Sequence, residues 1–150
     1  MAGLALRLAL GFVVSGLAAL PVQAADTAAG VWAQVDDKSG RVRSHVRIAE
    51  QGGRYHGTIL RFFPGAGEPA APVCDQCPGR LKNHPIVGLR FLIGLVRKGS
   101  DYTGGQLIDP ETGQTYQGQV TLGPDGRSLT LRGYVGSPIF GRSQTWRRGE

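Results

Sequence analysis

The chain has 150 residues, a formal charge of +6, 24 glycines and nine prolines, a length that suits one domain and leaves no room for a second core. A basic balance raises nucleic acid as a partner. Aromatic and basic residues do not interleave as a base-stacking platform requires, so that partner is set aside.

The amino terminus carries Arg7, then an apolar stretch from Leu8 to Leu20, broken by Pro21 and followed by Val22-Gln23-Ala24. Small residues at −3 and −1 predict a cleaved secretory signal over residues 1–24. The run is too short to span a bilayer, and no cysteine stands at the cleavage point to take a lipid. A single domain over residues 25–150, periplasmic or secreted and without a membrane span, is the expectation. Loss of Arg7 with the signal leaves a charge near +5.

Beyond residue 25 the apolar pattern has period two and no helical stripe. Strands are predicted over residues 31–36, 41–49, 54–63, 88–97, 101–108, 114–122, 127–135 and 142–148. The second is the plainest: Val42, Ser44, Val46 and Ile48 face one way, and Arg41, Arg43, His45 and Arg47 the other. Short turns rich in Gly, Asp and Pro separate most neighbours, as in Asp109-Pro110-Glu111-Thr112-Gly113 and Gly123-Pro124-Asp125-Gly126. Eight strands joined by hairpins close most economically into an antiparallel up-and-down barrel, which leaves no free edge and an interior that side chains or one small ligand can fill.

Residues 64–85 break that rhythm with five prolines, three glycines and both cysteines. The segment reads as a long loop outside the core, either a lid or a passive crossover. In an exported chain Cys74 and Cys77 read first as a disulfide. Redox chemistry and zinc held with His84 are the sharper alternatives; the βαβ surroundings of the first and the fourth ligand of the second are both missing nearby. No cofactor motif is present. Gly136 to Ser143 has phosphate-loop spacing without its lysine, no nucleophile elbow occurs, and the carboxylates sit mostly in turns, so nothing demands catalysis.

At the two ends, Gly30-Val31-Trp32 opens the first strand and Trp146-Arg147-Arg148 closes the last. The pairing resembles the lipocalin and calycin pattern, in which a Gly-x-Trp indole packs on an arginine of the last strand. Trp32 with Arg147 is the expected closure, with Arg132 or Arg142 as alternatives. The chain as a whole resembles the bacterial exported family DUF2147. The resemblance rests on Asp36-Asp37-Lys38-Ser39-Gly40, Cys74-x-x-Cys77, Pro85-Ile86-Val87-Gly88-Leu89, Ile108-Asp109-Pro110-x-x-Gly113-x-x-Tyr116, Arg132-Gly133-Tyr134-x-Gly136, Phe140-Gly141-Arg142 and Trp146-x-Arg148. It implies a lipocalin-like barrel with no catalytic residues to carry over.

A binding protein for a small apolar or amphipathic molecule is the leading expectation. Arg132 is a candidate counter-charge for an acidic head group, and Tyr116 a candidate ligand contact. The alternative is an envelope interaction protein that uses Arg41, Arg43, His45 and Arg47 on its outer face to hold anionic polymer or lipid head groups.

Overall fold

The computed structural model describes residues 26–149, and the expected signal over residues 1–24 lies outside them. The strands are β1 (Gly30–Val35), β2 (Val42–Gln51), β3 (Arg54–Phe62), β4 (Val73–Cys74), β5 (His84–Pro85), β6 (Arg90–Lys98), β7 (Asp101–Ile108), β8 (Thr115–Leu122), β9 (Ser128–Tyr134) and β10 (Arg142–Arg148). Eight of them close into one antiparallel barrel in the order β1-β10-β9-β8-β7-β6-β3-β2, while β4 and β5 form a separate two-stranded ribbon. Among the described residues no helix is long and apolar enough to cross a membrane.

Period-two alternation decides which side chains fill the barrel. On β2, Ser44, Val46 and Ile48 are buried and Arg47 is exposed. On β10, Trp146 is buried between exposed Thr145 and Arg147. An eight-stranded barrel is narrow, and its large side chains fit because glycines stand opposite them. A Cβ at Gly57 would lie 3.0 Å from Leu92 Cβ, one at Gly105 would lie 2.5 Å from Leu95 Cδ2, and one at Gly133 would lie 2.8 Å from Leu107 Cδ2. The strand glycines thus make room inside the barrel as well as easing its coiling. At Gly104, φ is +74° where the β7–β8 register slips between Tyr102 and Gly105, and this bulge bends the ladder as closure requires.

One end of the barrel is plugged by the segment that precedes β1. The Trp32 indole donates to the Ala28 carbonyl at 2.8 Å, and the Tyr102 hydroxyl accepts from the Ala28 amide at 2.9 Å. Arg148 stacks its guanidinium 4.2 Å from the centre of the Trp32 ring and donates to the carbonyls of Gly126, Ala29 and Thr27 at 2.6, 3.0 and 2.8 Å. Burial pushes the Arg148 pKa down from its ordinary value, and the facing Tyr102 partly opposes that shift. Gly30 is required at this crossing, since its φ is +136° and a Cβ would stand 2.7 Å from Arg148 Nη1. The expected closure by Arg147 is therefore corrected to Arg148: Trp146 points inward, so the next residue points out and the one after returns. Arg132 and Arg142 do not reach Trp32 either.

The segment between β3 and β6 also departs from expectation. Cys74, Cys77, Ile86 and Leu89 are all buried and belong to the hydrophobic core, so the long loop is a strap packed onto the open end of the barrel. Cys74 and Cys77 are joined in a disulfide with their Cα atoms 5.3 Å apart, which leaves neither thiolate for zinc. Gly113, in the β7–β8 turn with φ of +71°, lies so close to the strap that a Cβ there would overlap the carbonyl of Gln76. The strap is thereby docked between its own strands and the β7–β8 turn.

Candidate functional site

Below its waist the barrel is filled by Trp32, Ile48, Leu92, Leu95, Tyr102 and Leu129, each at most 1% exposed. Above it lies a cavity of about 1200 Å³ that opens to solvent between the β1–β2, β7–β8 and β9–β10 turns and the strap. Its floor and lower wall are apolar, made by Val46, Ile59, Phe91, Leu107, Leu131 and Trp146.

One wall carries a polar ladder. The Ser44 hydroxyl donates to Gln34 Oε1 at 2.6 Å, the Gln34 amide donates to Gln144 Oε1 at 3.2 Å, and the Trp146 indole donates to that same oxygen at 3.4 Å. An indole N–H can only donate, so it turns the Gln144 oxygen toward itself and Gln34. The Gln144 NH2 group remains without a partner among the described residues, at the cavity wall. The interior therefore offers a neutral hydrogen-bond donor above an apolar floor. These glutamines were not singled out in the sequence. The readable signal was parity, because Gln34 stands two residues after Trp32 and Gln144 two before Trp146, placing each on its tryptophan's inward face.

The rim holds most of the charge. Arg43 is bidentate to Glu68 of the strap at 2.9 and 2.7 Å, and its guanidinium lies 5.2 Å from the centre of the Phe62 ring. The Gly65 amide first, and Arg43 next, hold the Glu68 carboxyl below its ordinary pKa. Asp36 is lowered in the same way by Ser39 and Lys38 of its own turn. Asp37, Asp75, Asp109 and Glu111 also line this mouth, against Lys38 and Arg142.

The structure separates the residues singled out in the sequence. Tyr116 does line the cavity, with its hydroxyl donating to Gln114 Oε1 at 2.5 Å. Arg132 does not: on β9 it alternates with inward Leu131 and Gly133, and it binds the Pro138 carbonyl at 2.5 Å and Ser143 Oγ at 2.7 Å. Its expected role as a counter-charge inside the barrel is corrected accordingly. Arg47 is exposed on the outer face of β2 and Arg41 in the turn just before that strand, and His45 packs edge-on to Phe63 with ring centres 5.1 Å apart. Arg43 is withdrawn from that face into its pair with Glu68, so the expected four-residue basic row is reduced on the strand to His45 and Arg47.

A closed eight-stranded antiparallel meander, plugged at one end by a Trp–Arg stack and hollow at the other, is a lipocalin-like barrel. Residues 30–148 match the family described as an uncharacterized protein conserved in bacteria, DUF2147, and the chain belongs to that family. Among solved structures it is similar to protein HP1028 of Helicobacter pylori, described as belonging to the lipocalin family. The identity is 22%, the match covers 81% of this chain and 82% of that one, and the TM-score is 0.68; likeness at this level concerns the fold. The curated proteins contain no match to the chain.

Proposed function

We propose that this protein is an exported binding protein which takes one small apolar or amphipathic molecule into the open end of its barrel. The observation that carries the reading is the cavity itself. At about 1200 Å³ it exceeds the roughly 300–1,000 Å³ usual for small-molecule sites, because it takes in the charged mouth as well as the apolar floor on which a ligand's apolar part would lie. A ligand carbonyl accepting from Gln144 would be fixed in depth while its apolar part displaces water from Phe91, Leu131 and Trp146. The signal-like segment over residues 1–24 supports export to the periplasm or beyond.

Binding of the neutral fluorophore N-phenyl-1-naphthylamine tests the reading. The purified protein should bind it one to one, and Leu131→Trp, which projects bulk into the cavity, should lower the affinity at least tenfold while circular dichroism shows the barrel unchanged. Equal binding by the two proteins overturns the assignment to this cavity. Native mass spectrometry of protein purified from the exporting cell would then identify the natural occupant by its mass.

A further inference from the structure

Among the described residues the three most exposed large apolar side chains fall on one turn. Val135, Ile139 and Phe140, between β9 and β10, are 69%, 77% and 82% exposed, whereas no other such side chain passes 49%. Apolar residues scattered singly are ordinary on a surface; three gathered at one tip mark an interaction site.

The backbone of this turn is satisfied from within. The Ser137 amide donates to the Val135 carbonyl at 3.0 Å, the Ile139 amide to Ser137 Oγ at 3.5 Å, the Phe140 amide to the Ser137 carbonyl at 3.1 Å and the Gly141 amide to the Pro138 carbonyl at 3.2 Å. Pro138 has no amide hydrogen to place. A loop that satisfies its own N–H groups can enter an apolar phase without the penalty that bare donors carry there. Two guanidinium groups flank the tip. Arg132 braces it, donating to the Pro138 carbonyl at 2.5 Å and to Ser143 Oγ at 2.7 Å. Arg142, which follows the turn, is exposed and in no ion pair among the described residues. The carboxylates of the mouth stand on other segments, the β1–β2 and β7–β8 turns and the strap.

We propose that the β9–β10 turn docks the protein on a phospholipid surface, with Val135, Ile139 and Phe140 entering the boundary between head groups and acyl chains and Arg132 and Arg142 meeting lipid phosphates. Apolar side chains hold such a boundary through the area they bury, and neighbouring basic ones through attraction to anionic lipid. A protein partner fits the tip less well. Phe140, the largest of the three, buries at most about 250 Å², so together they fall short of the roughly 800 Å² per side of a stable protein interface. Val135 and Arg142 also line the opening of the cavity, so docking brings that opening against the layer in which an amphipathic ligand dissolves. Docking itself depends on the turn alone and needs no occupant in the barrel.

The test is flotation of protein purified from the exporting cell with vesicles of phosphatidylethanolamine and phosphatidylglycerol, no ligand being added. The parent should float with the vesicles, and Ile139→Ser combined with Phe140→Ser should lower its partition coefficient at least tenfold. Val96→Ser, on β6 near the plugged end, should leave it unchanged. All three side chains are exposed, so their replacement spares the fold, as circular dichroism should show. Vesicles of phosphatidylcholine should hold the parent several-fold less tightly, because the arginines lose their anionic partners. Phe140→Trp emission should shift to the blue on vesicles and be quenched by lipids brominated in their acyl chains, a signal separable from Trp32 and Trp146, which are each at most 1% exposed. A parent that stays in solution, or a double variant that floats as well as the parent, overturns the docking, while titration with N-phenyl-1-naphthylamine decides the cavity separately. Equal affinity for phosphatidylcholine overturns the part given to the arginines. A parent that forms dimers in analytical ultracentrifugation, which the double variant abolishes, and that leaves the vesicles bare assigns the turn to a second copy of the chain and overturns the docking too.

Discussion

Replacing Arg148 by alanine removes three hydrogen bonds from a charged donor to backbone carbonyls, together with the stack on Trp32. Hydrogen bonds from charged groups contribute about 1.5–3 kcal/mol each when well buried, and a cation over an indole about 0.5–2 kcal/mol. Arg148 is half-buried and water can reach some of the freed carbonyls, so the net loss should be about 3 kcal/mol. Unfolding entropy near 2.1 cal/mol/K per residue, taken over the 124 described residues, turns that loss into a fall in Tm of roughly 11 °C. Arg147→Ala, on the exposed neighbour, should stay within about 0.5 kcal/mol of the parent. Arg148→Lys should fall between the two, since an ammonium keeps the charge without the planar fork that reaches three carbonyls. Thermal unfolding followed by far-UV circular dichroism measures all three variants. An Arg147→Ala protein as unstable as Arg148→Ala would refute the parity argument and the closure built on it.

Gly113→Ala should destabilise the protein by about 2 kcal/mol or more, because the residue is held at positive φ and its Cβ would overlap the Gln76 carbonyl; limited proteolysis should show the strap cut before the barrel. The Cys74→Ser, Cys77→Ser double variant should lose about 2 kcal/mol from the short closed loop plus the packing of two buried sulfurs, and it should keep the barrel's circular dichroism spectrum. Glu68 has a lower pKa in the folded protein than its ordinary 4.5, so its contact with Gly65 and Arg43 contributes fully above about pH 4.5 and fades as pH falls through the folded value. The protection factors of the amides of residues 65–68, taken relative to the intrinsic exchange rate at each pH, should accordingly fall in acid, and Glu68→Gln should show the reduced protection already at neutral pH.

The barrel was legible in the sequence because each of its causes is local. Alternation placed Ser44, Val46 and Ile48 on one face, and the turn chemistry of 109–113 and 123–126 set the hairpins. Nearest-neighbour hairpins leave few ways to pair eight strands. The Cys74–Cys77 bridge, three residues apart, was equally readable. What resisted reading depends on contacts distant in the chain. Parity on β10 sends Arg148 inward with Trp146, but that Trp32 is the ring it meets follows from the register of β10 against β1, where Trp32 lies opposite Arg148. Arg132 lies outside the barrel by the parity of its own strand, which buried Leu129 and Leu131 set.

The composition of residues 64–85 described a loop truly enough, yet proline and glycine content says nothing of what a loop packs against. The burial of Cys74, Cys77, Ile86 and Leu89 came from the strap's fit over the barrel mouth. The cavity was the least legible feature of all. Its lining is drawn from all eight barrel strands and the strap, among them Gln34, Val46, Ile59, Phe91, Leu107, Tyr116, Leu131 and Trp146, a sum over strands that no single segment contains. By itself the sequence determined strand periodicity, turn positions and the disulfide, all set within a few residues. Tertiary structure alone decided closure, the docking of the strap and the charge facing the cavity, because each depends on the register between strands brought together by the fold.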